Sequence, residues 1–232
     1  MNSGVAIHKL SAEQRMAAFD PGKVNALVRD SLSGAGIFEE AVRIVPFTIL
    51  SAQRLAGMVR AISKIGEIAG DTAEIGCNAG GTSRLIALLN RGRRHWACDT
   101  FVGLVDVDEQ DGGGLQNGDF SNRLCKADLV AQRLSDLNVQ VVSGYFPDDA
   151  PSDMLSARYA FVHIDVDTYR SIHACFAFFI GRMSRGGIMV LDDVIGRGTA
   201  GGKAAWAEIL AADGGRFTLV EQNDPHVIIR VN

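Results

Sequence analysis

Two apolar runs that each end in a pair of aspartates constrain this chain most. Tyr159-Ala-Phe-Val-His-Ile164 reads as a buried strand, and Asp165 and Asp167 follow it at once. Thr168 can cap the helix that begins there. After that helix, Gly187-Ile-Met-Val-Leu191 is a second apolar run, ending in Asp192 and Asp193. Two strands joined by one helix form a right-handed βαβ unit, so they run parallel and their C-terminal ends share one sheet edge. Open α/β sheets bind ligands at that edge. Up to four carboxylates gather there, and a hard divalent cation relieves their repulsion most simply. The competing explanation is that strand-end aspartates only cap helices, as Asp167 can, with Arg170 as countercharge. Two strand ends with two aspartates apiece favour the cation.

The rest of the chain extends this pattern. Strands are expected at Thr72–Cys77, His95–Asp99 and Val139–Ser143, with helices over Ser83–Leu89, Asn122–Leu137 and Gly202–Ala211. Phe217–Val220 and Val227–Val231 are joined by a connection too short for a parallel crossover, so they pair antiparallel. The result is one α/β domain over residues 67–232: seven strands, parallel except the last, with helices on both faces. Residues 1–66 read as a helical cover, lid or oligomer contact. Ser11 caps a first helix from Ala12, Pro21 and Gly22 interrupt, and a second runs over Lys23–Leu32. In the third, Ser51 precedes Leu55, Met58, Val59, Ile62 and Ile65 at helical spacing. The polar, Gly-rich stretch from Thr100 to Phe120 has no regular period and is expected to be a mobile lid.

Composition narrows the partners. A net charge of -4 in 232 residues offers no basic stripe for nucleic acid or an anionic membrane. Cys77, Cys98, Cys125 and Cys175 are far apart and form no CxxC pair, which points to reduced thiols in a cytoplasmic protein. No apolar run is long enough for a membrane helix.

Chemistry concentrates at the strand ends. Glu74-Ile-Gly-Cys-Asn-Ala-Gly-Gly-Thr82 joins a strand to a helix through a turn in which Gly76, Gly80 and Gly81 permit close approach of a ligand. Its spacing is neither G-x-G-x-x-G nor a phosphate-binding P-loop. Asp99 ends the next strand, where an acid can hold both ribose hydroxyls, so a nucleoside cofactor is expected over a turn used only for packing. Asp106, Asp108, Asp111 and Gly112 do not fit a calcium loop, because the glycine position falls on Asp111. His163 is either a hydrogen-bonded core residue or, by alternation with Asp165, a contact to substrate or metal. No nucleophile elbow is present.

In order, Thr48-Ile-Leu-Ser51, Glu74–Gly81, Asp99-Thr-Phe-Val-Gly-Leu104, Gly118-Asp-Phe120, Gly144-Tyr-Phe-Pro147, His163–Tyr169, Gly186–Asp193 and Gly201–Ala205 resemble the macrocin- and novobiocin-type sugar O-methyltransferases. The resemblance implies a Rossmann-like class I methyltransferase fold, S-adenosylmethionine, and Mg2+ or Mn2+. It implies that the loop Glu74, Gly76, Asn78, Gly80, Gly81 and Thr82 holds the methionine part of the cofactor, with Thr48 and Ser51 closing over it. Asp99, with Thr100 and Phe101 after it, would bind the ribose, and residues near Ser121 and Gly144, Tyr145 and Phe146 would flank the adenine. Asp165, Asp192 and Asp193 would hold the metal, Asp167 being a ligand or the base, and Asp165 sharing the catalytic role. The acceptor would be a small sugar-like hydroxyl compound. Val166 replaces the family's glycine, Arg170 its acid, and Asn78-Ala79 its larger pair, all on the substrate side. The closest rivals are catechol-type methyl transfer to a vicinal phenol and a nucleoside-binding protein without turnover.

Overall fold

The computed structural model describes residues 47–232. The segments expected after Ser11 and over Lys23–Leu32 lie outside the described residues. In chain order the elements are α1 (Ala52–Ile62), β1 (Asp71–Ile75), α2 (Gly81–Leu89), β2 (His95–Asp99), α3 (Ala127–Leu134), β3 (Val139–Ser143), α4 (Ser152–Ser156), β4 (Tyr159–Ile164), α5 (Tyr169–Ile180), β5 (Met183–Leu191), α6 (Ala200–Asp213), β6 (Phe217–Asn223) and β7 (His226–Val231). The seven strands form one sheet in the order β3-β2-β1-β4-β5-β7-β6. Only β7 runs antiparallel, to β5 on one side and β6 on the other.

β4 lies at the centre and is buried at every position, which is why its sequence is a continuous apolar run rather than an alternation. Alternation still sorts its side chains. Val162 and Ile164 join Phe176, Phe179 and Trp206 from α5 and α6 in one core. Phe161 joins Met58, Ile62 and Ile86 from α1 and α2 in the core on the other face. The helix expected after Ser51 therefore packs directly on the sheet. Ile75, Ile164 and Leu191 are level across β1, β4 and β5, so the residues after them emerge together at one edge.

Several elements differ from their sequence-based bounds for local reasons. α3 begins at Ala127 and not Asn122, because the Asn122 carboxamide oxygen accepts the Leu124 N–H in a turn of its own. β5 begins four residues before Gly187; the ladder shifts register between Tyr159 and Phe161, and Gly186 takes φ +81°. β6 extends to Asn223, leaving only Asp224 and Pro225 as the turn into β7. α4 is a single turn of helix, too short to carry a period.

The stretch after β2 is more ordered than its composition suggests. A 3-10 turn over Glu109–Asp111 is closed by reciprocal bonds: Asp108 accepts from the turn, and Asp111 accepts the Asp108 N–H. Asp111 is buried, and its Oδ1 accepts the Tyr169 N–H at 2.7 Å. It thus caps α5, the role expected of Thr168, whose own hydroxyl makes no cap bond. Arg170 pairs with Asp106 and Asp108 at 3.1 and 2.9 Å, so it anchors this loop and does not balance the strand-end aspartates.

Replacing Asp111 with alanine should lower stability by about 1–2 kcal/mol through loss of the cap. It should also speed limited proteolysis between residues 103 and 120 several-fold. Unchanged cutting would mean that the Arg170 pairs hold the loop alone.

Candidate functional site

The strand ends open into a cleft of about 500 Å³. Its floor runs from the β1–α2 turn and Asp99 at one end to Asp165, Asp167 and Asp193 at the other. A cleft of this size and mixed polarity suits a drug-sized ligand held by a few placed polar groups.

At the first end, Asp99 accepts the Phe101 N–H through Oδ1 (2.7 Å) and the Asn78 N–H through Oδ2 (2.8 Å). Each oxygen keeps a lone pair for a hydroxyl in the cleft. Burial pushes its carboxyl above the ordinary range, and the backbone donors oppose that push. Thr48 bonds to the Thr82 hydroxyl at 2.9 Å, tying the chain before α1 to the first turn of α2. Ser51 caps α1 through the Arg54 N–H.

Most of the expected cofactor residues line the cleft: Thr48, Ser51, Glu74, Gly76, Asn78, Thr82, Asp99, Thr100, Gly144, Tyr145 and Phe146. Four do not. Ser121 is exposed outside it. Phe101 is buried beneath the β2 end with Ala97, Cys125 and Val130. Gly80 and Gly81 face away from the cleft, on a smaller hollow beside Arg133. Gly81 has no room for a Cβ because the Phe47 and Thr48 backbone crosses it, and at Gly76 a Cβ would strike the Asp165 carbonyl. These glycines serve backbone packing, and at Gly76 the packing draws the ends of β1 and β4 together. Phe146 reaches the cleft only marginally; it stacks on Phe179 with ring centroids 5.3 Å apart.

At the second end the carboxylates are arranged in two sets that share Asp165. Oxygens of Asp165, Asp167 and Asp193 lie within 4.8 Å of one another on the cleft side, and Asp165, Asp192 and His163 do so on the buried side. Asp167 and Asp193 have left-handed backbones (φ 62° and 56°), an uncommon conformation for residues with a side chain and one that clusters at functional sites. Thr199 fixes both: its hydroxyl donates to the Asp167 carbonyl at 2.7 Å, and its N–H to the Asp193 carbonyl at 3.0 Å.

Electrostatics divides the four aspartates. Burial and the charge on Asp192 push Asp165 well above the usual carboxylate range, and burial with Asp165 does the same to Asp167. Asp193 is raised more mildly, and it faces Asp167 closely enough to share a proton. Asp192 alone is held below the ordinary range: burial opposes its charge, but His163 and Arg54 outweigh it. Arg54 lies 3.4 Å from Asp192 and 3.0 Å from Asp193. His163 sits with Nδ1 2.9 Å from Glu74 Oε1, and Glu74 in turn accepts from the Ser83 hydroxyl. Burial works against charge on that ring, yet Asp192 and Glu74 raise its pKa to about 10. Its Nε2 stands 3.9 Å from Asp192 Oδ2, an ion-pair distance and not a hydrogen bond.

Arg54 escaped the sequence reading, although a signal was present. It precedes Met58 and Ile62 by four and eight residues, so a cation stands on the buried face of an apolar helix. Leu104, Val105, Leu115 and Phe120, from the loop after β2, also line the cleft. They are apolar residues in a polar stretch, and no period marks them.

Residues 23–212 match the family described as Macrocin-O-methyltransferase (TylF). A curated relative from Streptomyces olivaceus is 8-demethyl-8-(2,3-dimethoxy-alpha-L-rhamnosyl)-tetracenomycin-C 4'-O-methyltransferase, 26% identical over 165 residues. The match takes in 64% of this chain and 63% of that relative's length. Among solved structures, the O-methyltransferase NovP superposes with a TM-score of 0.67 at 22% identity, over 80% of this chain and 82% of its own. The calicheamicin methyltransferase CalS11 gives 0.67 at 18% identity, over 99% and 98%.

Arg54→Met keeps the aliphatic stem and removes the countercharge. At neutral pH in excess chelator it should lower the unfolding free energy by about 1–3 kcal/mol, discounted for the partial exposure of the pair. Added Mg2+ should then raise the urea midpoint of the variant more than that of the parent. Equal midpoints without metal would remove Arg54 from the charge balance.

Proposed function

The chain belongs to the macrocin O-methyltransferase family, and we propose from that premise that it transfers a methyl group from S-adenosylmethionine to a hydroxyl of a sugar-linked small molecule. The observation that carries this is the single cleft with the Asp99 carboxylate at one end and Asp165, Asp167 and Asp193 at the other. A nucleoside fits the first end and a reacting hydroxyl the second. Bound S-adenosylmethionine supplies an electrophilic methyl on a sulfonium.

The chain's own residues do the rest. Asp99 takes the ribose hydroxyls, and the turn over Gly76–Asn78 together with Thr48 and Thr82 encloses the methionine part. Tyr145, half-buried and held by its hydroxyl to Asp106 at 3.1 Å, borders the adenine side. Asp165, Asp192 and Asp193 would hold a divalent cation, Mg2+ or Mn2+, which would lower the pKa of a neighbouring hydroxyl and offset the carboxylate charge. Their fit to such an ion rests on two facts: a carboxylate cluster only partly balanced by Arg54, and a buried Asp192 Oδ2 without a hydrogen-bond partner. Asp167 is the proton acceptor. Burial and Asp165 raise its carboxyl well above the ordinary range, which makes the carboxylate a stronger base. Orientation of the hydroxyl against the methyl accounts for much of the acceleration.

The net charge of -4 argues against a nucleic-acid acceptor. The cysteines are free and buried, which suits a reducing cytoplasm. Val166, in the position where the family has glycine, borders the acceptor end and narrows it.

Calorimetry with S-adenosylhomocysteine, with and without Mg2+, is the decisive experiment. Micromolar binding is expected, and Asp99→Ala should weaken it by about 2 kcal/mol through loss of charge-assisted hydrogen bonds. A methyl-transfer screen over glycosides and catechols should find activity on glycosides. Chelator should stop that turnover and Mg2+ restore it, while Asp167→Asn should cut turnover far more than cofactor affinity. No binding of S-adenosylhomocysteine by the folded protein would overturn the assignment, and catechol-only activity would move it to phenols.

A further inference from the structure

Ionised carboxylates only accept hydrogen bonds, whereas a sugar also carries oxygens that need donors. Two side-chain donors beside Asp167 and Asp193 are already committed. Arg54 turns its two terminal nitrogens to Asp192 and Asp193, at 3.4 and 3.0 Å. The Thr199 hydroxyl donates to the Asp167 carbonyl at 2.7 Å. Arg197 differs. It lines the same cleft, its side chain is 77% exposed, and among the described residues its Nη1 meets no partner.

Exposed as it is, Arg197 is built into place. Asp224 accepts its backbone N–H through Oδ1 at 2.8 Å and its Nε through Oδ2 at 3.0 Å. The Arg197 N–H and guanidinium hold the Asp224 carboxyl below the ordinary range, so the pair stays ionised. The loop between β5 and α6 that carries Arg197 is pinned as well: the Val194 and Ile195 N–H groups both donate to the Pro225 carbonyl. Two glycines set the approach. A Cβ at Gly196 would strike the Asp224 carboxylate, and one at Gly198 the Asp193 carbonyl. One short loop therefore seats Arg197 on Asp224 and fixes it beside Asp193. An exposed ion pair contributes little to stability, so stability alone gives no reason for this much construction.

We propose that Arg197 determines acceptor specificity: its Nη1 donates to an oxygen of the acceptor sugar away from the reacting hydroxyl, and Asp224 is the positioning residue that holds the guanidinium for it. The proposal rests on the sugar-methylation reading above and adds the residue that reads the sugar beyond its reacting position. A planar guanidinium fixed through Nε presents its remaining N–H groups in a set direction, which a flexible ammonium does not. Its charge is already met by Asp224. The group it reads is therefore a neutral hydroxyl or ring oxygen, not a phosphate or carboxylate.

Initial rates over a panel of methyl pyranosides and their single-deoxy analogues, with S-adenosylhomocysteine calorimetry on the same samples, test this. Arg197→Met should raise KM for the best pyranoside about ten-fold, the loss of one charged hydrogen bond, with kcat and S-adenosylhomocysteine affinity within about two-fold. One deoxy analogue should lose about ten-fold in kcat/KM on the parent enzyme and lose nothing relative to its pyranoside on Arg197→Met, because the donor it fails to meet is gone. Asp224→Asn should raise KM by a smaller factor, and Arg197→Lys should recover only part of the loss. An unchanged KM in folded Arg197→Met would overturn the proposal. So would deoxy penalties that persist undiminished in that variant, or a preference for a pyranose 1-phosphate over the methyl pyranoside. Should Arg197→Met fail to fold, Arg197→Lys carries the same comparison. Pyranoside methylation with an unchanged KM removes this inference alone. S-adenosylhomocysteine binding with no pyranoside methylated removes the sugar acceptor and this inference together, and no S-adenosylhomocysteine binding removes the methyltransferase assignment.

Discussion

A chain of opposite charges runs beneath the cleft, and the rest of the site depends on it. Glu74, His163, Asp192 and Arg54 alternate in sign across β1, β4, the end of β5 and α1. Buried carboxylates are costly unless paired. Here the pairing is uneven. Asp192 receives both His163 and Arg54 and is held below the ordinary range, Asp193 shares Arg54 and is raised more mildly, and Asp165 and Asp167 are left with burial and one another. The unevenness separates a charged anchor from carboxyl groups whose protons are held more tightly, the division of labour that the proposed cation and base call for.

The fold brings these groups together through close backbone approach. The level register of β1, β4 and β5 brings their ends to one edge, and the missing side chain at Gly76 lets the Asp165 carbonyl lie against the β1–α2 turn. Past that edge the chain turns sharply twice, at Asp167 and Asp193, in a conformation that costs on the order of 1–3 kcal/mol at a residue with a side chain. Thr199 ties both turns to the start of α6. Strain of this kind persists only where the surroundings over-determine it, and three elements meet there.

The loop between β2 and α3 shows how a polar stretch becomes part of a site. Its acids are spent on structure: Asp111 caps α5, Asp106 and Asp108 hold Arg170, and Asp108 closes the 3-10 turn. Four of its apolar residues, Leu104, Val105, Leu115 and Phe120, line the cleft. The resulting wall is anchored through Arg170 and apolar toward the cleft.

Much of this was legible in the sequence, and the boundary is physical. Strand identity, the parallel order and the convergence of Asp165, Asp167, Asp192 and Asp193 follow from short-range periodicity and the handedness of βαβ units, which hold wherever such segments occur. Asp99 was legible for the same reason, as the acid at the end of the second strand. The antiparallel final strand followed from a connection too short to cross the sheet. Arg54 as countercharge, Asp111 as the cap of α5, Phe146 as a core ring and Gly81 as a packing glycine were not legible. Each depends on a partner distant in sequence, 139 residues away for Arg54 and Asp193. No local pattern marks such a pair. Periodicity determined which groups stand at the sheet edge; three-dimensional packing decided which of them keep their charge, because only the folded chain brings both His163 and Arg54 to Asp192, shares Arg54 with Asp193 and leaves Asp165 and Asp167 without a paired cation.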